Sequence, residues 1–573
     1  MGDLVAARPR SGGIVLHWVP RTLAVVGVAA YGFLQLGAYQ GNAVAGFLGS
    51  RAWICIGVIA LASSLRVLVY TARADIAARN VTAAIVFGFL FIFAFARINS
   101  FDWAPQGEGC SEIATVFDGA RLARPDLGWV DFSFYQRPHR MLMINALPTL
   151  VAGRSLAAAR LGYLLPVLLG MCLLYAALRA WDADVPGFRY VALLPVVGIP
   201  TCPLLVMWMR WGDSPLQPVA LALLMAAWFL LCVRDRRPTH LLALAFFAGL
   251  ASTCYPPGML VWLLFLVLGC GYAAWVLIKG DSSCAFGWAC ALIPPILDGV
   301  TCLAYRRDFA GTWRGVTDLG MIAHNAAATA RTVLLHEALH RGLAFASYAV
   351  IVPVVIYLAA SLLLRNGWAH FVVSAWVVGC VAIGTSTSGY SSYPPEASVY
   401  RVMAVIPVAL TGLAVSILPL LRRVRWRPTG WTCVAPLLVC LAFSAQAYEQ
   451  SEHFLVNDAT PPIVRRNLAR VVQTVQQRFD PRGPFVIAAF VNGDSNVVYW
   501  RDVLTYLFPR HQGANDPQRC LTGVDTSLPA IVLVNRDGTT CLDALSIYAG
   551  RQIERAEFES SVPMVQYVFR ASR

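Results

Sequence analysis

Long, almost uncharged apolar runs recur along this chain, separated by short segments in which arginines collect. A helix needs about 20 mostly apolar residues to cross a bilayer. Runs near that length fall at 15–38, 52–71, 81–98, 157–178, 188–208, 217–233, 239–255, 257–278, 284–304, 343–364, 369–386, 400–421 and 430–447. The pattern predicts a polytopic α-helical membrane protein with about 13 transmembrane helices. The first run lacks a small-residue cleavage site after a short apolar core, so it is expected to be retained as a span. After about residue 448 the pattern changes. "PPIVRRNLARVVQTVQQRF" has helical spacing, "PFVIAAFV" and "PAIVLVN" read as buried strands, and "MVQYVFRA" reads as a last strand. "NVVYWRDVLTYLF" and "CLDALSIYAGRQI" look helical. A soluble α/β domain over 448–573 is therefore expected.

Composition sharpens this reading. Of 573 residues, 58% are hydrophobic and 13% charged, and the mean hydropathy is +0.61. Soluble domains carry about 25% charged residues. The arginines orient the bundle, because short cytoplasmic loops are enriched in Lys and Arg. With Arg8 and Arg10 inside, the cytoplasmic loops carry Arg73, Arg79, Arg179, Arg189, Arg234, Arg236, Arg237, Lys279, Arg365, Arg422, Arg423, Arg425 and Arg427. The opposite short loops carry only Arg51 and Arg210. This places 99–156, 305–342, 387–399 and the C-terminal domain outside, in the periplasm if the membrane is a bacterial inner membrane. The net charge of +14 suits inside loops held by anionic lipid headgroups. Neither a nucleic-acid-binding pattern nor a Gly-rich phosphate fingerprint is present.

Three regions follow: an N-terminal transmembrane hairpin (1–80), a main bundle (81–447) with external loops 99–156 and 305–342, and the external α/β domain (448–573). Of the 15 cysteines, all but Cys110, Cys520 and Cys541 lie in or beside apolar runs, where a thiol acts as a small hydrophobe. Cys520 and Cys541 fall in the external domain, where an oxidising compartment favours a disulfide between them.

The first external loop holds the candidate chemistry. "FDWAPQGEGCSEIATVFDGARLARPDLGWVDFSFYQRPHR" combines Asp102, Glu108 and Glu112 with Arg137, His139 and Arg140. "SEIATVFDGARLA" reads as an amphipathic helix on the bilayer surface, with Glu108 and Glu112 at its positive end. A carboxylate in an interfacial cleft can act as a general base. Arginines beside it can hold phosphate oxygens in bidentate fashion.

The order of these segments resembles the GT-C superfamily of polyprenyl-phosphate-sugar glycosyltransferases, in the branch of aminoarabinose transferases and protein O-mannosyltransferases. The resemblance spans about 81–447. It rests on an acidic first loop followed by "FYQRPHRMLMINALPTLVAGRSLAAARLGYLLPVL", in which Tyr135, Arg137 (Arg for the family's Lys), Pro138, Gly153, Ser155, Arg160 and Leu161 match. "MRWGDSPLQPVALALLMAAWFLL" and "VYRVMAVIPVALTGLAV" add Arg210, Asp213 and Arg401. The family's leading Asp is missing: its Asp-Glu pair reads Gly107-Glu108 or Ser111-Glu112, which leaves Glu108, Glu112 and Asp102 as alternatives for the base. What the resemblance implies is inverting transfer of a sugar from a polyprenyl-phosphate donor to a lipid, glycan or protein acceptor. Arg137, His139, Arg140 and Arg401 would then hold the donor phosphate, and Asp213 with Arg210 would serve the acceptor. Asp213 would also be the ligand of a divalent metal ion if one bridges the donor; no other cofactor is implied.

A second motif competes. "LLHEALHR" places His336, Glu337 and His340 in the H-E-x-x-H spacing of zinc proteases. "LIPPILDGV" resembles the Leu-Asp-Gly segment of intramembrane metalloproteases, with Asp298 as a third ligand. In that family the two segments occur in the opposite order, and here the histidines fall on an external loop. An intramembrane zinc metalloprotease and a lipid or sugar transporter are the alternative readings.

Overall fold

The computed structural model describes residues 14–40, 42–77, 140–153, 156–181, 191–193, 196, 198–211, 216–254, 257–305, 323, 327, 348–363, 403–424 and 430–453. In the C-terminal region it describes 471, 473–480, 483–490, 508, 510, 512–514, 524–535, 548, 550–558 and 564–571. In chain order the helices are α1 (Ile14–Tyr39), α2 (Ala43–Ala77), α3 (Arg140–Ala152), α4 (Leu156–Trp181), α5 (Pro203–Trp211) and α6 (Leu216–Asp235). They continue with α7 (Pro238–Ser252), α8 (Pro257–Ile278), α9 (Ser282–Tyr305), α10 (Tyr348–Leu363), α11 (Val405–Val424) and α12 (Gly430–His453). Among the described residues, Ala43–Ala77, Ala158–Trp181, Leu216–Asp235, Gly258–Ile278 and Ser282–Thr301 are long and apolar enough to cross a membrane. Helices suit that setting because lipid offers the backbone no hydrogen-bond partners.

Helix α6 is the hub. Its most apolar stretch is 89% buried, against α4, α7, α8 and α11, whereas that of α2 is only 17% buried. Small residues set the close approaches, as expected where lipid supplies no hydrophobic drive between helices. A Cβ at Gly170 of α4 would lie 2.7 Å from the Leu223 Cβ of α6. Helices α1 and α2 form a hairpin whose turn is capped by Asn42, the Oδ1 of which accepts the Ala45 N–H at 3.1 Å. Phe33, Val58, Leu61 and Leu65 of this hairpin are exposed, as on a lipid-facing surface. Its other side docks on α7, where Trp53 meets Phe246 at 4.9 Å and Gly57 leaves room for the Phe246 ring.

The structure departs from the sequence pattern in three places. Residues 188–208 do not form one span. A 3-10 turn at Ile199–Thr201 and an extended Cys202 (φ −96°, ψ 104°) precede α5. Pro203 has no N–H to extend a helix and drives the residue before it out of the α region. Next, the expected external loop 99–156 contains α3. This helix buries Met141, Asn145, Ala146 and Thr149 and packs on α4, where a Cβ at Gly162 would lie 1.8 Å from the Asn145 carbonyl oxygen. Gly153 ends α3 at φ +84° with nothing within 4 Å, so the left-handed backbone, not crowding, calls for glycine. Last, "CLDALSIYAGRQI" does not stay helical to its end, because Gln552 and Ile553 open a strand.

The C-terminal region forms a mixed sheet in the order β2-β1-β3-β5-β4. Its strands are β1 (Val486–Phe490), β2 (Gln512–Ala514), β3 (Ala530–Asn535), β4 (Gln552–Phe558) and β5 (Met564–Phe569). The expected strands in "PFVIAAFV", "PAIVLVN" and "MVQYVFRA" are β1, β3 and β5. Strands β1 and β3 run parallel with side chains buried on both faces, which accounts for their unbroken apolar runs. One face sets Ile487, Ile531 and Leu533 with Val471, Val475 and Phe508; the other sets Val486, Val532 and Val534 with Tyr548 and Phe569.

Candidate functional site

Arg140, the first residue of α3, is one of the candidate residues that the structure describes. It is 6% exposed and faces residues from two other helices. Its Nη1 lies 2.8 Å from Oδ1 of Asp298 on α9, and its Nη2 donates to Oε1 of Gln35 on α1 at 3.3 Å. The Tyr31 hydroxyl donates to the Asp298 carboxylate, 2.8 Å from Oδ1 and 3.0 Å from Oδ2, and accepts from Arg140 Nη1 at 3.4 Å.

Local sequence explains how these groups converge. Tyr31 and Gln35 are four residues apart and so share one face of α1. Pro294 and Pro295 each remove an N–H from the ladder of α9 just before Asp298. The Trp262 indole of α8 donates to the Pro295 carbonyl at 3.0 Å, and its ring would lie 2.2 Å from a Cβ at Gly299. Gly249 on α7 leaves room for the carboxylate, since a Cβ there would be 2.6 Å from Asp298 Oδ2. The Asp-Gly pair in "LIPPILDGV" thus has a packing explanation: Asp298 meets Arg140, and Gly299 makes way for Trp262.

Two buried opposite charges repay their desolvation only when other hydrogen bonds complete the pair. Tyr31 and Gln35 supply those bonds. A second polar cluster joins the opposite ends of the helices, where Asp75 of α2 pairs with Arg179 and accepts a 2.7 Å hydrogen bond from the Tyr175 hydroxyl, both on α4. Arg236 and Asp281 pair nearby at 2.6 Å but are more than a third exposed. Arg179 and Arg236, both expected from the sequence in cytoplasmic loops, thus pair with Asp75 and Asp281 away from the Arg140–Asp298 cluster.

Arg160, part of the GT-C-like motif, is fully buried in α4. Arg210 belongs to α5. Asp102, Glu108, Glu112, Arg137, His139, Asp213, His336, Glu337, His340, Arg401, Cys520 and Cys541 lie outside the described residues, and so does the surface helix expected at "SEIATVFDGARLA". Among the described residues, no group of three His, Cys, Asp or Glu could hold a metal ion. Sequence reasoning missed Tyr31 and Gln35 and read Asp298 only as a metal ligand. The signal was a carboxylate inside an apolar run, which requires a cationic or hydrogen-bonding partner.

Fold and site together define a polytopic helical membrane protein with a buried ion-pair cluster at one end of its bundle. Among solved structures, the chain is similar to ArnT from Cupriavidus metallidurans in the apo state, at 15% identity and a TM-score of 0.49 over 86% of this chain and 98% of that one. It is also similar to the same protein bound to undecaprenyl phosphate, at 13% identity and a TM-score of 0.48 over 85% and 98%. A third similar structure is the archaeal oligosaccharyltransferase AglB from Archaeoglobus fulgidus in complex with an inhibitory peptide and a dolichol-phosphate, at 10% identity and a TM-score of 0.39 over 76% and 64%. No family model and no curated protein matches the chain.

Proposed function

We propose that this protein is an integral-membrane glycosyltransferase of the GT-C type, moving a sugar with inversion from a polyprenyl phosphate to an acceptor hydroxyl on the periplasmic face. Glu108 or Glu112 takes the acceptor proton, with Asp102 as the remaining carboxylate of that loop. As the bond from sugar C1 to phosphate breaks, negative charge develops on the lipid phosphate. Arg137, His139, Arg140 and Arg401 stabilise it there. Asp213 and Arg210 orient the acceptor, a lipid, glycan or protein, and the α/β domain helps to select it.

The observation that carries this reading is Arg140. A cation is kept nearly dry at the end of the bundle, directly after the acidic segment whose motif order resembles GT-C enzymes. Buried ion pairs are poor sources of stability, and ionisable groups within membrane bundles mark substrate or ion paths.

The test is release of polyprenyl phosphate from a panel of lipid-phosphate sugars by the purified protein, alongside its zinc content. Release that is abolished by Glu108→Gln or Glu112→Gln and survives His336→Ala is the expected result. One tightly bound zinc that is lost in His336→Ala, with no turnover of any lipid sugar, would replace this reading with the metalloprotease.

A further inference from the structure

The proposed clamp raises a problem that the ion-pair geometry addresses. Donor and product carry the same lipid phosphate, so a cation that grips it in a dry site also retains the product. In this structure Arg140 is not an unopposed cation. Asp298 lies 2.8 Å from its Nη1, and the pair is 7% and 3% exposed. At that separation, with little water to screen it, a carboxylate lowers the attraction of a guanidinium for a second anion. Resting on the reading of Arg140 as a lipid-phosphate ligand, we propose that Asp298 is its internal counter-anion. It stands in for the phosphate when the site is empty and sets how tightly lipid phosphate is held.

Three features support this assignment. The Tyr31 hydroxyl reaches both Asp298 oxygens, at 2.8 and 3.0 Å, and fixes the carboxylate against Arg140. Gly249 keeps the space behind Oδ2 clear. The second guanidinium nitrogen, Nη2, donates to the neutral Gln35 amide at 3.3 Å, a partner that a phosphate can displace without separating charges. Asp298 touches no reacting atom in this scheme; it is a positioning residue that acts through Arg140. Tyr31 makes the N-terminal hairpin part of the donor site.

The discriminating readout is a gain of affinity, because structural damage weakens binding. Binding of a polyprenyl phosphate to the full chain in lipid nanodiscs is measured for wild type, Asp298→Asn, Arg140→Gln/Asp298→Asn and Asp75→Asn, with the matching polyprenol as a tail-only control. Asp298→Asn is expected to bind the phosphate about tenfold more tightly. Polyprenol binding should not change, and the gain should vanish in the double variant. Asp75→Asn, which unties the hairpin at its other end, should stay within about twofold of wild type. If Asp298→Asn does not fold, Gly249→Ala displaces the same carboxylate without changing charge and should shift affinity in the same direction. Unchanged or weaker binding in the folded variant, or an equal gain in Asp75→Asn, overturns the proposal. A gain without turnover of any lipid sugar keeps it and sinks the transferase reading. Turnover without a gain does the reverse.

Discussion

Replacing Asp298 by Leu while leaving Arg140 in place takes the counter-charge at 2.8 Å from a buried guanidinium, and the structure gives the size of the effect. Both partners are less than a tenth exposed, so the lost anion is not replaced by water. Breaking a buried pair by removing one partner costs about 3–5 kcal/mol. Arg140→Met should cost a similar amount, because the carboxylate is then stranded. The double variant Arg140→Met/Asp298→Leu removes both charges and should recover most of the loss. It falls short by about 1–3 kcal/mol, since the Tyr31 hydroxyl loses the carboxylate to which it donates; adding Tyr31→Phe should return that part. The coupling energy of the cycle is therefore expected to exceed about 2 kcal/mol. Equilibrium unfolding in mixed micelles measures it, and Arg236–Asp281 supplies an internal control. That pair is 36% and 37% exposed and should couple by only about 0–1 kcal/mol. Equal coupling in the two cycles would refute the view that burial of the Arg140 cluster governs its energetics.

Three further outcomes are expected. Gly162→Ala should prevent accumulation of folded protein, because its Cβ would lie 1.8 Å from a main-chain oxygen of α3 that has no rotamer to move, whereas Gly271→Ala, with nothing within 4 Å, should be silent in the same expression assay. The Ser527 hydroxyl at 2.6 Å, and then its N–H at 3.0 Å, hold the Asp525 carboxyl below the usual carboxylate range. A depressed folded value means that this stabilisation is present above the unfolded pKa and lost as pH falls through the folded one; carboxyl NMR of wild type against Ser527→Ala should show the titration move up in the variant. Cys520 and Cys541 should resist alkylation until reductant is added, as mass spectrometry of the C-terminal peptides would show; alkylation without reductant would exclude their disulfide.

Five of the helices were legible because lipid exposure demands long unbroken apolar runs, and α2, α4, α6, α8 and α9 have them. What was hidden follows from the same physics. Helix α3 is 13 residues long with Pro148 inside it, so neither its length nor its composition marks it as a span. Strand β4, "QIERAEF", lies at the sheet edge, where charged residues protect against pairing with other chains and leave no apolar run to read. The proline at 203 was visible, yet the apolar run through it masked the break. At the site, the cationic cluster drew attention to Arg140, but its partner Tyr31 lies 109 residues away in sequence and Tyr31 is 267 residues from Asp298. No local pattern encodes such pairings. Asp298 and Gly299 resembled a metal-site segment; in the structure the first pairs with Arg140 and the second makes way for Trp262.

The hairpin shows why polar clusters occur at both ends of a largely lipid-facing element. With 17% of its most apolar stretch buried, α2 has little packing to fix its rotation, and lipid is as apolar as its leucines. Gly57 against Phe246 sets how closely it approaches α7, but a smooth contact tolerates slippage. Asp75 does not. A one-residue shift turns a helix by about 100° and would carry that carboxylate away from Arg179 into lipid. At the opposite end, the same constraint on α1 holds Tyr31 and Gln35 over Asp298 and Arg140. Each cluster fixes the register of the helix that carries it more than it adds stability. The register of α1, held at its own end by Tyr31 and Gln35, determines whether the Tyr31 hydroxyl meets the carboxylate paired with Arg140.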